Sequence, residues 1–112
     1  MADARLTVPA ASAIDAADSV LVSPISFFEI AQKVRIGKWP EMARHVDVLQ
    51  RLLEEQGGSV AELDPAICVA AGIMAWDHRD PFDRLLAATA KHLRLPIVSA
   101  DEVFDGVVTR VW

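Results

Sequence analysis

Three times in this chain a capping side chain is followed at once by proline: Ser23-Pro24, Asp64-Pro65 and Asp80-Pro81. Each pair fixes a helix start. The side-chain oxygen accepts hydrogen bonds from the open N–H groups of the first turn, and proline needs no partner at the first helical position. The stretches between the helices are short apolar runs, SVLVS (19–23) and LPIVS (95–99). Helices with fixed starts alternating with short apolar strands are the pattern of an α/β domain with a mostly parallel sheet.

The remaining elements follow from the same signals. Pro9 opens a short helix over residues 10–17, and the helix from Pro24 runs through ISFFEIAQKVRI to a stop at Gly37. Met42, Val46, Leu49 and Leu53, joined by Leu52, fall at helical spacing and predict one helix over residues 41–56, ended by Gly57-Gly58. Helices begin again at Pro65, running to Ile73, and at Pro81. LPIVSAD reads as a strand ending in polar residues, and VVTRVW as a terminal strand.

At 112 residues the chain is expected to form a single domain, with 53% hydrophobic and 24% charged residues enough for a core. Cys68 is the only cysteine, which leaves neither a disulfide framework nor a zinc-type cluster and points to a reducing cytoplasm. No stretch reads as a signal peptide or a membrane span. A net charge of −5 argues against nucleic-acid binding by bulk electrostatics. The charge is uneven, however: Lys33, Arg35, Lys38, Arg44 and Arg51 outnumber Glu41 and Asp47 in their segment, whereas residues 52–77 hold no Lys or Arg.

Three acids occupy special places. Glu29 follows the SVLVS strand on its helix, Asp83 sits in the first turn after Asp80-Pro81, and Asp101 lies just past the PIVS strand. Open parallel sheets bind ligands outside the carboxyl ends of their strands. Carboxylates gathered there repel one another unless a cation sits between them, and hard oxygen ligands suit Mg²⁺ or Mn²⁺. Each acid also has an ordinary explanation. Glu29 pairs with Lys33 at helical spacing, Asp83 answers the helix dipole, and Asp101 caps a short helix through Phe104. His78 and His45 have no second His or Cys at ligand spacing, and no serine stands in a hydrolase arrangement.

Taken in order, VLVSPISFFEIAQKVRIGK, HRDPFDRLLAATA and LPIVSAD resemble the PIN-domain nucleases, specifically the VapC-type toxins of toxin-antitoxin pairs, from about Arg5 to Trp112. The resemblance implies a three-layer α/β domain over residues 1–112 and a Mg²⁺- or Mn²⁺-dependent endoribonuclease. RNA would be its substrate, a small antitoxin its inhibitor, and a cytoplasmic homodimer its form. Carried over by residue, Glu29, Asp83 and Asp101 become catalytic metal ligands. Ser26 and Ser99 support them, and Arg84 and His78 become phosphate or partner contacts.

The chain departs from the family in one respect. The family's first strand is central in the sheet and ends in a metal-binding aspartate. Here Asp3 follows only Met-Ala, while Asp15 and Asp18 fall on the first helix. Either the two neighbouring strands close up, or the gap in the sheet is filled by the RLTV segment, by a strand exchanged within a dimer, or by an upstream piece of the gene product. The rival function is therefore a catalytically inactive PIN-like module that works by protein binding, as an antitoxin decoy or through self-association. These expectations predict that a chain of these 112 residues cleaves RNA poorly even with Mn²⁺. Robust cleavage abolished by Glu29→Gln or Asp83→Asn would overturn that expectation.

Overall fold

A computed structural model describes residues 8–16 and 20–112. Asp3, Asp18, Ser19 and most of the RLTV segment, which figure in the expectations above, lie outside the described residues. In chain order the elements are α1 (Val8–Ala16), β1 (Leu21–Val22), α2 (Pro24–Arg35), a 3-10 helix (Pro40–Val48), α3 (Leu49–Glu55), β2 (Ser59–Val60), α4 (Pro65–Ile73), α5 (Pro81–Leu93), β3 (Ile97–Val98), a 3-10 turn (Glu102–Phe104) and β4 (Arg110–Val111). They fall into two compact units, one of residues 19–63 and one joining residues 1–18 to 64–112.

In the first unit, β1 and β2 pair in parallel, Leu21 opposite Ser59 and Val22 opposite Val60. A parallel pair needs a long crossover, supplied here by α2, the 3-10 helix and α3. The cap-then-proline start of α2 is as expected, with the Ser23 hydroxyl accepting from Ile25 N at 3.2 Å. Gly58 lies so close to Leu53 and to the Val20 carbonyl that a Cβ would collide with the Leu53 side chain. The glycine thus lets the chain turn tightly from α3 into β2. The strand itself escaped sequence reading because two paired residues carry no periodicity.

The expected helix over 41–56 is instead a 3-10 helix followed by an α-helix. The break falls at Val48, with φ −127° and ψ 18°, after a Val46-Asp47-Val48 run of poor helix formers. No side chain caps the 3-10 helix at Trp39, so its start lacks the device that fixes the others. Its apolar stripe still turns inward: Met42 is buried and Val46, Leu49, Leu52 and Leu53 are half-buried.

The second unit is built on α4 against α5. Asp64 caps α4 by accepting from Ile67 N at 2.9 Å. Ile67 and Ala71, one turn apart, are its buried residues. On α5 the buried run Ala87-Ala88-Thr89-Ala90 is small throughout, which lets neighbouring backbone come close. Thr89 satisfies its buried hydroxyl within the helix, donating to the Leu85 carbonyl at 2.7 Å.

β3 and β4 pair in parallel, Ile97 opposite Arg110 and Val98 opposite Val111, and α1 lies against β4. Arg110 grips Asp105 with two hydrogen bonds, Nε to Oδ1 at 2.6 Å and Nη2 to Oδ2 at 3.1 Å. That bond and the guanidinium charge hold the Asp105 carboxyl below its ordinary value of 3.8. A lowered carboxyl stabilises the fold above that ordinary value, and the contribution fades as pH falls through the lowered one. Among the described residues no helix is long and apolar enough to cross a membrane.

Ile67 is 1% exposed and Val69 61% exposed on the same helix. Ile67→Ala is therefore expected to cost about 2 to 5 kcal/mol in a urea titration. Val69→Ala should stay within about 0.5 kcal/mol. Equal losses would show that α4 packs on its other face.

Candidate functional site

The start of α5 gathers its polar groups through local bonding. Asp80 Oδ1 accepts from Phe82 N at 2.8 Å and from Asp83 N at 3.3 Å, and Pro81 takes the first helical position. One acid therefore caps the helix, and Asp83 is released for another task. Its Oδ2 accepts from His78 Nε2 at 2.7 Å, the imidazole being the only possible donor to an ionised carboxylate. Both side chains are partly exposed, His78 by 30% and Asp83 by 21%.

The imidazole is braced from behind. Its ring centroid lies 5.0 Å from that of Trp76, and the Trp76 ring lies 6.1 Å from that of Phe104. Phe104 is buried and ends the 3-10 turn that Asp101 caps, with Asp101 Oδ1 accepting from Val103 N at 2.9 Å. Ser99 Oγ accepts from Asp101 N at 3.1 Å, and the Ser99 carbonyl accepts from Arg110 Nη1 at 3.2 Å. A continuous set of contacts thus runs from Arg110 and Ser99 through Asp101, Phe104 and Trp76 to His78 and Asp83.

Arg84 holds the loop that carries His78. Its Nε donates to the Ala71 carbonyl at 2.9 Å, Nη1 to Trp76 at 2.7 Å and His78 at 2.9 Å, and Nη2 to Met74 at 2.5 Å and Gly72 at 3.5 Å. A guanidinium has five N–H donors, and five carbonyls take them up. Ala71 and Gly72 belong to the last turn of α4, where carbonyls lack helical partners and no basic residue stands on the helix itself. The expected phosphate contact at Arg84 would have to break these bonds, and the side chain serves here as a cross-brace.

Of the residues singled out in the sequence, Asp83 and His78 meet directly, and Ser99 and Asp101 bond to each other within the same unit. Asp101 fills the helix-capping role that was its alternative. Glu29 and Ser26 are half-buried on α2, in the other unit. Sequence reading missed Asp80 as a neighbour of the pair. Ligand atoms of His78, Asp80 and Asp83 all lie within 4.8 Å of one another, and the signal was the spacing H-x-D-x-x-D across a capped helix start.

The donor set suits a divalent cation. Asp80 Oδ2 and Asp83 Oδ1 have no hydrogen-bond partner among the described residues. Hard carboxylate oxygens match Mn²⁺ or Mg²⁺ better than a soft thiophilic metal, with His78 orienting Asp83 from outside.

A family model described as PIN domain matches residues 2–108. No curated protein and no solved structure matches the chain.

Replacing Arg84 by Lys keeps the charge but loses most of the carbonyl contacts. At about 1 kcal/mol for each of several hydrogen bonds, Arg84→Lys should lower stability by on the order of 3 kcal/mol. It should also shift the His78 ring resonances. A change within about 0.5 kcal/mol, with His78 unmoved, would show that the brace is dispensable.

Proposed function

The chain belongs to the PIN-domain family of nucleases, and from that premise we propose that it is a metal-dependent endoribonuclease acting as the toxin of a toxin-antitoxin pair. The observation that carries this is the His78–Asp83 pair, a carboxylate fixed by an imidazole while its second oxygen stays uncommitted. PIN domains bind RNA and generally use divalent metals, and the acids gathered at the start of α5 agree with the use of a metal.

In this assignment Asp83 is a metal ligand and Asp101 a further one implied by the family motifs, with Ser99 as hydroxyl support. The ligand role of Glu29 and the supporting role of Ser26 rest on the sequence motifs alone. Bound Mg²⁺ or Mn²⁺ supplies activation of water and stabilisation of the departing oxygen. The chain's own residues prepare for that chemistry. His78 keeps its Nε2 proton on Asp83 Oδ2, so the carboxylate presents Oδ1 in one orientation, an arrangement common among outer partners of metal ligands. Trp76 keeps the imidazole from rotating away, and the Asp80 cap fixes the backbone beneath Asp83.

The remaining parts of the proposal are a small antitoxin as partner, a homodimer, and a reducing cytoplasm. Exposed apolar side chains on α4, Val69 and Ile73, offer an antitoxin chain a surface to cover. A module that only binds protein is the second reading. It is favoured by Asp80 and Asp101 each spending one oxygen on a helix cap, since such caps need no metal to explain them.

Cleavage of single-stranded RNA by the full gene product, as the cell makes it, separates the two. The nuclease predicts cleavage in Mn²⁺ and none in EDTA, with Asp83→Asn at background and His78→Ala reduced about 10- to 100-fold. Cleavage indifferent to EDTA or to Asp83→Asn would contradict it. No cleavage under any condition, with a partner protein still bound, would establish the binding module.

A further inference from the structure

The opposite end of α5 carries a second feature, which the acids do not explain. The helix ends at Arg94, whose φ of 56° and ψ of 44° are left-handed. Among the described residues it is the only non-glycine with positive φ, the other three being Gly37, Gly57 and Gly106. Its amide and that of Leu95 close the helix by donating to Lys91 and Ala90. Glycine is the usual residue for this geometry, because a Cβ is strained there. An outlier of this kind raises the question of what the side chain does.

Arg94 lines an open cleft of about 350 Å³ together with Lys91 and Thr109. Its apolar wall is formed by Leu95, Pro96 and Val108. Neither Lys91 nor Arg94 has a side-chain hydrogen bond or ion pair among the described residues, in contrast to Arg84, Arg51 and Arg110. The helix dipole accounts for a cation in the last turn such as Lys91. It does not account for a strained arginine beyond that turn, nor for a threonine from the far side of the cleft.

The cleft also has a defined place in the fold. Pro96 and Thr109 precede β3 and β4, so it opens at the amino ends of this parallel pair, whereas Ser99 and Asp101 follow the carboxyl end of β3. Along α5, Arg94 stands about 17 Å from Asp83 at 1.5 Å per residue. In a chain of net charge −5, two unpaired cations, a hydroxyl and an aliphatic wall favour a ligand with alternating anionic and flat apolar groups.

We propose that this cleft, formed by Lys91, Arg94 and Thr109, is a docking subsite for the phosphate backbone of single-stranded RNA, separate from the acids at the start of α5. The proposal rests on the nuclease assignment. Lys91 and Arg94 neutralise phosphates, Thr109 donates a hydroxyl hydrogen bond, and the Leu95, Pro96 and Val108 wall takes a base without selecting its identity. Single-strand-binding folds cover roughly four or more nucleotides, which is enough to reach from this cleft towards the acidic end.

The test is binding of a fluorescently labelled single-stranded RNA to the full chain in EDTA, read by anisotropy over a series of KCl concentrations. Lys91→Ala and Arg94→Gly should each weaken binding several-fold. Each should also flatten the dependence of log Kd on log salt by about 0.7, the value for one phosphate contact on a single strand. Arg94→Gly should not lower the melting temperature, since glycine accepts the left-handed conformation, so its loss of binding cannot come from unfolding. Arg51→Ala, the same charge change in the other unit, should leave the slope unchanged.

RNA binding with wild-type affinity and slope in both cleft variants overturns the subsite and leaves the nuclease assignment standing. If the wild-type chain binds no RNA at all, both fall. Binding of a poly-glutamate peptide in place of RNA, with the same dependence on Lys91 and Arg94, overturns the proposal in favour of an acidic protein partner.

Discussion

The guanidinium of Arg84 is the interaction on which the second unit's candidate site depends. α4 ends without a basic residue in its last turn, and the loop to α5 runs over residues that form no secondary structure of their own. Carbonyls in such a place need donors, because an unpaired polar group that loses water costs on the order of 1 to 3 kcal/mol. A single planar side chain meets five of them and in doing so fixes the positions of Trp76 and His78. The His78–Asp83 bond is a consequence of that fixed loop.

Packing supports the same arrangement from below. The alanine run of α5 permits close approach, Ile67 and Ala71 of α4 are buried, and α4 packs on α5. Arg84 stands one turn before that run, so the face that buries the helix and the face that carries the site are registered by the helix itself. Ile67 is also the largest side chain below 2% exposure, so a change in how α4 seats on α5 would be felt at the Ala71 and Gly72 carbonyls that Arg84 grips.

Much of this was legible in the sequence where the determinants are local. Ser23, Asp64 and Asp80 each cap a helix as their proline neighbours announced, and the parallel pairing of β1 with β2 and of β3 with β4 agrees with an α/β chain of the PIN family. The surplus of Asp83 over the cap was also readable. The split of residues 40–55 into a 3-10 and an α-helix was not, because Met42, Val46, Leu49 and Leu53 follow the α-helical spacing although the 3-10 segment has a tighter period. The role of Arg84 was hidden for a different reason. Its partners are backbone carbonyls 6 to 13 residues away, and a carbonyl leaves no mark on residue identity. His78 was discounted for want of a second histidine, whereas its partner is a carboxylate across a capped turn.

The two ends of α5 now carry opposite chemistry, carboxylates with one imidazole at the start and unpaired cations beyond the finish. The central claim is that Asp83, oriented by His78, binds a divalent cation. Paramagnetic broadening of backbone amide resonances during Mn²⁺ titration measures this directly, without relying on turnover. The expected result is broadening that begins at His78, Asp80 and Asp83 and disappears in Asp83→Asn. Broadening centred on exposed acids elsewhere, such as Glu54 and Glu55, or unchanged by Asp83→Asn, would contradict it.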